Sequence, residues 1–360
     1  MSGLSRNREE PPADEADLEW CHDAVQGVSR TFALTIEVLD EPMSTYICVG
    51  YLLCRVADTV EDASHIPPEE QATLLRCFDR VLDPSDETSV TEFESAIEEW
   101  LPPESERSED WNVVAETRTV VHSFRAQPRS VRNAVRPPVR ELVQGMVLFV
   151  ERYADQGGLR LKDREELEEY CYYAAGTVGY LITNLVTRGE VESDTERTLY
   201  GTAESFGLLL QLVNIAKDVY VDFREENNVY LPATWLREAG VEQSELNDPE
   251  QHERVAAVVH RTADHARGFL DDAQQYLEEV PETDGNRLAA WAIPFLLAVG
   301  TLRELSTRPE DAATGEGVKI SRQEVAAIVT AMAGERDRDA LADLRRTISE
   351  EPFHHQLEGV

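Results

Sequence analysis

Two stretches of this chain carry carboxylates at a spacing suited to metal chemistry. They are Tyr51–Asp62 (YLLCRVADTVED) and Gln211–Asp222 (QLVNIAKDVYVD). In the first, Tyr51, Arg55, Asp58 and Asp62 recur at i, i+4, i+7 and i+11, which is one stripe of a helix. In the second, Gln211, Asn214, Asp218 and Asp222 follow the same stripe. Both stripes run through apolar sequence, where carboxylates are costly unless paired or metal-bound. Mg²⁺ takes hard oxygen ligands and favours a few carboxylates plus substrate phosphates. Two such pairs on facing helices could clamp a diphosphate through metal ions, with Arg55 and Lys217 as added cationic contacts. One DxxxD in so acidic a chain reads as a solvated face. Two, each embedded in apolar helix, favour the metal-diphosphate reading.

The elements that must position these residues read as helices. The helical repeat predicts helices over about 18–28, 42–63, 68–82, 112–126, 131–155, 163–187, 195–222, 250–278, 286–305, 321–333 and 336–348. No sustained alternating strand pattern appears. Pro67-Pro68, Pro137-Pro138, Gly157-Gly158 and Gly189 are turn-like. Residues 1–17 are expected to be a disordered acidic tail, 18–348 the folded domain, and 349–360 a C-terminal tail. Residues 83–110 read as an acidic surface insertion, an exposed loop with a short helix. Further acidic breaks fall near 280–286 and 306–317.

The formal net charge of −36 argues against nucleic acid or an anionic membrane as main partner. It suits a carboxylate-rich surface that stays soluble at high salt. The chain has only three lysines, Lys162, Lys217 and Lys319. Five scattered cysteines without CxxC spacing suit neither disulfides nor zinc and fit a reducing cytoplasm. The polar, acidic N-terminus is not expected to be a signal peptide. The longest apolar stretch, Ala289–Leu302, contains Pro294 and reads as too short to span a bilayer. A greasy substrate could still draw the protein to a membrane surface. The eight histidines share no motif, and His260 and His265 read as surface residues. Trp235 and Trp291 read as core. Oligomeric state leaves no mark in the sequence.

Several blocks together resemble the squalene/phytoene synthase family over nearly the whole chain. They are Ser29–Leu34 (SRTFAL), Tyr51–Asp62, Tyr170–Gly179 (YCYYAAGTVG), and Gln211–Asp222 followed by Tyr230 and Pro232. The resemblance implies an all-α fold, a single large helical isoprenoid-synthase bundle with a central cavity. It implies Mg²⁺ on Asp58, Glu61, Asp62, Asp218 and Asp222. Ser29, Arg30, Arg55, Gln211, Asn214 and Lys217 would bind the prenyl diphosphate. Phe32 and Tyr51 would line the pocket, and Tyr170 would stand near the reacting carbons. Gly176 and Gly179 would serve close helix packing or leave room for a prenyl chain. The residue before the second aspartate, often acidic in the family, is Val221 here, which puts a fifth carboxylate at that position in doubt.

Both family branches join two prenyl diphosphates head to head through a cyclopropyl diphosphate. One then reduces it with NADPH, and the other loses a proton. Ala292-Ile293-Pro294 with Ala298 and Thr301-Leu302, and Val318–Arg322 (VKISR), resemble the squalene-forming branch. That implies NADPH near Lys319 and Arg322, farnesyl diphosphate as substrate, and presqualene diphosphate as intermediate. Phytoene or dehydrosqualene synthesis without NADPH is the first alternative. A non-catalytic helical scaffold in lipid synthesis is another. The C-terminal membrane-anchoring helix of some relatives is not expected here.

Overall fold

The computed structural model describes residues 15–333 and 338–357. The side chains of Arg30, Thr31, Ala333 and Asp339 lie outside that description. Nineteen α-helices carry the described residues. Among the described residues there is no β-strand, only an isolated bridge between Arg160 and Val229. The all-α expectation is borne out. Five helical segments enclose the central cavity: Arg30–Val38, Met43–Glu61, Tyr172–Val186, Ser193–Val221 and Leu288–Thr307.

Several boundaries differ from expectation, each for a physical reason. Of the expected N-terminal tail, residues 1–14 lie outside the described residues. Glu15 and Asp17 open the helix Glu15–Val28, and Asp17 accepts from His122 at 2.7 Å. Arg30–Val38 is a separate helix capped by Ser29, whose Oγ accepts from the Phe32 N–H at 3.2 Å. The acidic segment 83–110 holds a short helix, as expected, but that helix packs into the core. Val90–Ile97 is helical, with a capping box at Ser89 and Glu92, and it buries Phe93 and Ile97. Phe93 meets Phe78 with ring centroids 5.3 Å apart.

Pro137 and Pro138 do not break their helix, which runs unbroken over Arg129–Arg152. Proline at 138 removes the N–H that would bond the Ala134 carbonyl. Asn184 supplies the substitute: its Nδ2 donates to Ala134 O at 3.0 Å. At the other end, residues after 348 are not a free tail. The helix continues to Glu350, and Phe353 is buried with its N–H donating to Glu324 Oε1 at 3.1 Å. Glu324 is 1% exposed and also pairs with Arg303 at 2.8 Å.

The apolar stretch around Pro294 is longer than it reads, because helix Leu288–Thr307 is 20 residues long. It is the one described helix long and apolar enough to cross a membrane, and 72% of its most apolar window is buried in the bundle. Trp291 and Trp235 are buried, as expected of core residues. All five cysteines are buried and unpaired. His265 corrects the surface reading. Its side chain is 18% exposed, lies 2.9 Å from a Glu168 carboxylate oxygen, and packs edge-on against Trp235 and Phe269.

Candidate active site

The cavity, about 700 Å³, is graded from apolar to charged by the two motif helices. Along Met43–Glu61 the lining residues run Ile47, Tyr51, Cys54, Arg55 and Asp58, with Asp62 at the C-cap. Along Ser193–Val221 they run Phe206, Gly207, Leu210, Gln211, Asn214, Lys217 and Asp218, with Asp222 at the C-cap. Both helices therefore present apolar residues first and carboxylates in their last turns. Leu181, Trp291, Pro294 and Leu297 close the apolar part.

Helix polarity sharpens the meaning of this arrangement. A helix C-terminus carries partial negative charge, which favours cations. Four aspartates at two such ends attract metal ions and repel a bare diphosphate. An anionic substrate can sit there only with cations between it and the carboxylates.

The glycines let the walls approach. A Cβ on Gly179 would sit 2.1 Å from the Ala203 carbonyl oxygen, and one on Gly207 would sit 2.2 Å from that of Ala175. Close packing is thus required at Gly179, and Gly207 is its unforeseen counterpart across the helix pair.

Side chains at the mouth are already organised. Phe32 stacks on Tyr51, with ring centroids 4.0 Å apart and planes 19° from parallel. Arg55 donates to the Tyr51 hydroxyl from Nη2 at 2.6 Å and lies 3.6 Å from Asp110. Burial opposes the charge on Arg55, but Tyr51, Asp58 and Asp110 outweigh it and push its pKa up. Lys217 is ion-paired with Asp218. Ser29, Gln211 and Asn214 are on the cavity wall. The Arg30 side chain lies outside the described residues.

The carboxylates hold protons above their ordinary range when no cation is present. Burial pushes Asp58 up to about 6, with Arg55 opposing and Asp110 adding to the shift. Burial pushes Glu61 to about 8. Asp222 rises to about 9 through burial, then through Glu226, Asp218 and Asp62. Glu226 rises to about 8 through burial and then Asp62.

In chemical kind the donors suit Mg²⁺, although among the described residues no three acidic, histidine or cysteine side chains converge closely enough to hold an ion as they stand. The donors are hard oxygens, and Glu61 Oε1 is buried with no hydrogen-bond partner. Glu61 is 6% exposed and faces a second, smaller cavity of about 240 Å³ on the far side of Asp62.

Tyr170 does not reach the main cavity wall; Tyr230 does. The Tyr170 hydroxyl donates to the Tyr230 hydroxyl at 3.2 Å, and Asn228 Nδ2 donates to the same oxygen at 3.1 Å. Asn228 Nδ2 also lies 3.5 Å from Asp62 Oδ1 and 3.4 Å from Glu226 Oε2. Asn228, Glu226 and Asp110 escaped the sequence reading. Glu226 follows Asp222 at i+4, but it lies beyond the end predicted for helix 195–222. Asp110 had no local signal.

Lys319 and Arg322 are exposed and are not on the cavity wall. Their segment begins beside the second motif helix, where a Cβ on Gly315 would sit 2.7 Å from the Tyr220 ring. Neither makes an ion pair among the described residues. Val221 is 42% exposed and faces away from the site.

The squalene/phytoene synthase family profile matches residues 25–324. The chain belongs to this family. Squalene synthase of Schizosaccharomyces pombe is 24% identical over 314 residues, covering 87% of this chain and 64% of that protein. Squalene synthase of Bos taurus is 26% identical over 292 residues, covering 80% and 63%. This chain thus spans less than two thirds of the length of these relatives. The structure of TcSQS with the ligand E5700 matches with TM-score 0.75 at 22% identity, covering 96% of this chain and 99% of that one. A dehydrosqualene synthase complex matches with TM-score 0.52 at 18% identity, covering 96% and 98%. These structures share the isoprenoid-synthase bundle expected from the sequence.

Proposed function

We propose that this protein condenses two farnesyl diphosphates head to head to presqualene diphosphate, then reduces that intermediate with NADPH to squalene. The observation that carries the reading is the graded cavity, apolar within and ringed by four aspartates at two helix C-termini.

The chain's residues divide the work. Asp58, Asp62, Asp218 and Asp222, with Glu61, would hold Mg²⁺. When bound, Mg²⁺ neutralises the departing diphosphate. Arg55 and Lys217 add positive charge to the same group, and Ser29, Gln211 and Asn214 offer hydrogen bonds. Ile47, Leu181, Phe206 and Trp291 bind prenyl tails and keep water from the allylic cation. The stacked faces of Phe32 and Tyr51 offer π-density to that cation. Tyr230, held by Tyr170 and Asn228, places a hydroxyl on the same wall. NADPH, when bound, supplies hydride. Lys319 and Arg322 are exposed cations without ion-pair partners among the described residues, which suits them to its phosphates.

The test is an incubation of purified protein with farnesyl diphosphate and Mg²⁺, with and without NADPH. Squalene should appear only with NADPH. A product unchanged by NADPH assigns dehydrosqualene chemistry instead. Consumption of geranylgeranyl diphosphate alone assigns phytoene chemistry. No turnover of any prenyl diphosphate leaves a scaffold role.

A further inference from the structure

We propose that Glu226 is a further carboxylate of the cation site, binding between Asp62 on one motif helix and Asp222 on the other. The inference rests on the metal-diphosphate reading and adds a residue to it.

Local structure puts Glu226 there. The second motif helix ends at Val221, and Asp222–Glu226 forms a π-helical turn. Such turns insert a residue and re-aim side chains, and they recur at functional sites. Asn227 closes the turn in the left-handed region, at φ 59°. The chain is then clamped: Leu161 N–H donates to Val229 O at 3.1 Å, and Val229 N–H to Leu159 O at 2.9 Å. Gly158 permits the approach, since a Cβ there would sit 2.1 Å from the Asn227 carbonyl oxygen. Glu226 is thus held on a braced turn.

The cluster is then short of positive charge. Asp62 and Glu226 are the two residues common to the walls of both cavities. One amide nitrogen serves both: Asn228 Nδ2, at 3.5 and 3.4 Å, with Asn228 Oδ1 fixed by the Leu159 N–H at 2.9 Å. Contacts that long neutralise little. Among the described residues, no lysine or arginine makes an ion pair with Asp62, Asp222 or Glu226; the nearest cations are engaged, Arg55 with Tyr51 and Asp110, Lys217 with Asp218. Glu61 adds an independent sign. It is 6% exposed, its Oε1 has no partner, and it lines the smaller cavity with Asp62 and Glu226. Buried carboxylates without a counter-charge are untenable at neutral pH unless they bind protons or metal.

The experiment is calorimetric titration of Mg²⁺ into the whole protein in the presence of inorganic diphosphate. Glu226→Gln keeps the side chain's shape and should weaken Mg²⁺ binding about tenfold or more. Glu226→Asp should fall between Gln and wild type. Glu225→Gln, at the exposed neighbouring carboxylate, should bind as wild type does. Metal-free Glu226→Gln should melt no lower than wild type, which separates lost binding from lost fold. Equal affinity in wild type and Glu226→Gln overturns the inference. An equal loss in Glu225→Gln also overturns it, by making the effect one of bulk charge. Failure of wild type itself to bind Mg²⁺ with diphosphate overturns the metal-diphosphate reading beneath it.

Discussion

Phe32 stacks on Tyr51 at 4.0 Å, and that contact joins two stretches that are separate in sequence. Phe32 belongs to the helix capped by Ser29, whereas Tyr51 opens the first aspartate stripe. Tyr51 in turn accepts from Arg55, so the stack, the hydroxyl and the guanidinium form one chain leading to Asp58. Tyr51→Phe keeps the stack and removes the acceptor. A hydrogen bond to a charged group contributes about 1.5–3 kcal/mol. For the proposed farnesyl diphosphate turnover, kcat/KM should fall about 10- to 100-fold, with a drop of only a few degrees in melting temperature. Phe32→Leu should cost less. An unaltered kcat/KM in Tyr51→Phe would remove Arg55 positioning from the mechanism.

The carboxylates make the site pH-sensitive in a defined direction. Metal-free Asp58, Glu61, Asp222 and Glu226 titrate at about 6, 8, 9 and 8. Unfolded carboxyls titrate near 4. Each folded pKa is raised, so each group's stabilising contribution is complete below about pH 4 and is lost as pH rises through the folded values. Asp222→Asn removes one such group, so metal-free Asp222→Asn should gain stability over wild type as pH rises towards about 9. Cation binding must displace the protons. The rise in melting temperature from Mg²⁺ plus diphosphate should therefore be larger at about pH 9 than at about pH 6. Melting scans at both values check this, and an equal rise at both contradicts it.

The aspartate stripes were legible because they obey the α-helical period inside apolar sequence. Glu226 continues that period four residues past Asp222, but without the apolar flanks that mark a helix, and the π-turn at Asp222–Glu226 carries Asn228 off the period. Asp110 reaches Arg55 only through tertiary packing of the helix Glu109–Ala115, which no local pattern reveals. The unbroken helix across Pro137 and Pro138 depends on Asn184, 50 residues from the carbonyl it satisfies. Tyr230 follows the second aspartate stripe in a stretch that resembles a family motif. Its place on the cavity wall, in front of Tyr170, is a fact of packing.

Arg303 and Glu324 fasten the C-terminal region to helix Leu288–Thr307. Both Glu324 oxygens accept from Arg303 at 2.8 Å, Arg303 donates to the Ile348 carbonyl at 2.7 Å, and the Phe353 N–H returns to Glu324. The side chains are 8% and 1% exposed. Arg303 also pairs with Glu304 at 2.8 Å, so removing Glu324 leaves the guanidinium a partner and costs the buried charge-assisted hydrogen bonds, about 1.5–3 kcal/mol. Glu324→Ala should lose that much in denaturant unfolding, while Glu310→Ala, at an exposed carboxylate, should lose little. A loss below about 1 kcal/mol would show that water replaces the pairing.

Salt should stabilise this protein, and the sign follows from two opposing terms. Exposed pairs such as Arg118 with Glu94 and Arg261 with Glu238 weaken as salt rises. Such pairs contribute about 0–1 kcal/mol each. Against them stands an excess of acidic over basic residues, 70 to 34, which leaves a net charge of −36. That excess repels itself at every separation shorter than the screening length, about 30 Å at 0.01 M salt and 3 Å at 1 M. At low salt the repulsion therefore spans much of the molecule, while the local pairs gain only a few partners' worth of attraction. The melting temperature should rise steadily with NaCl from about 0.01 to 1 M. An uncharged osmolyte matched for osmolality should give a smaller rise. A melting temperature that is flat or falls across that salt range would mean the local pairs outweigh the surplus charge.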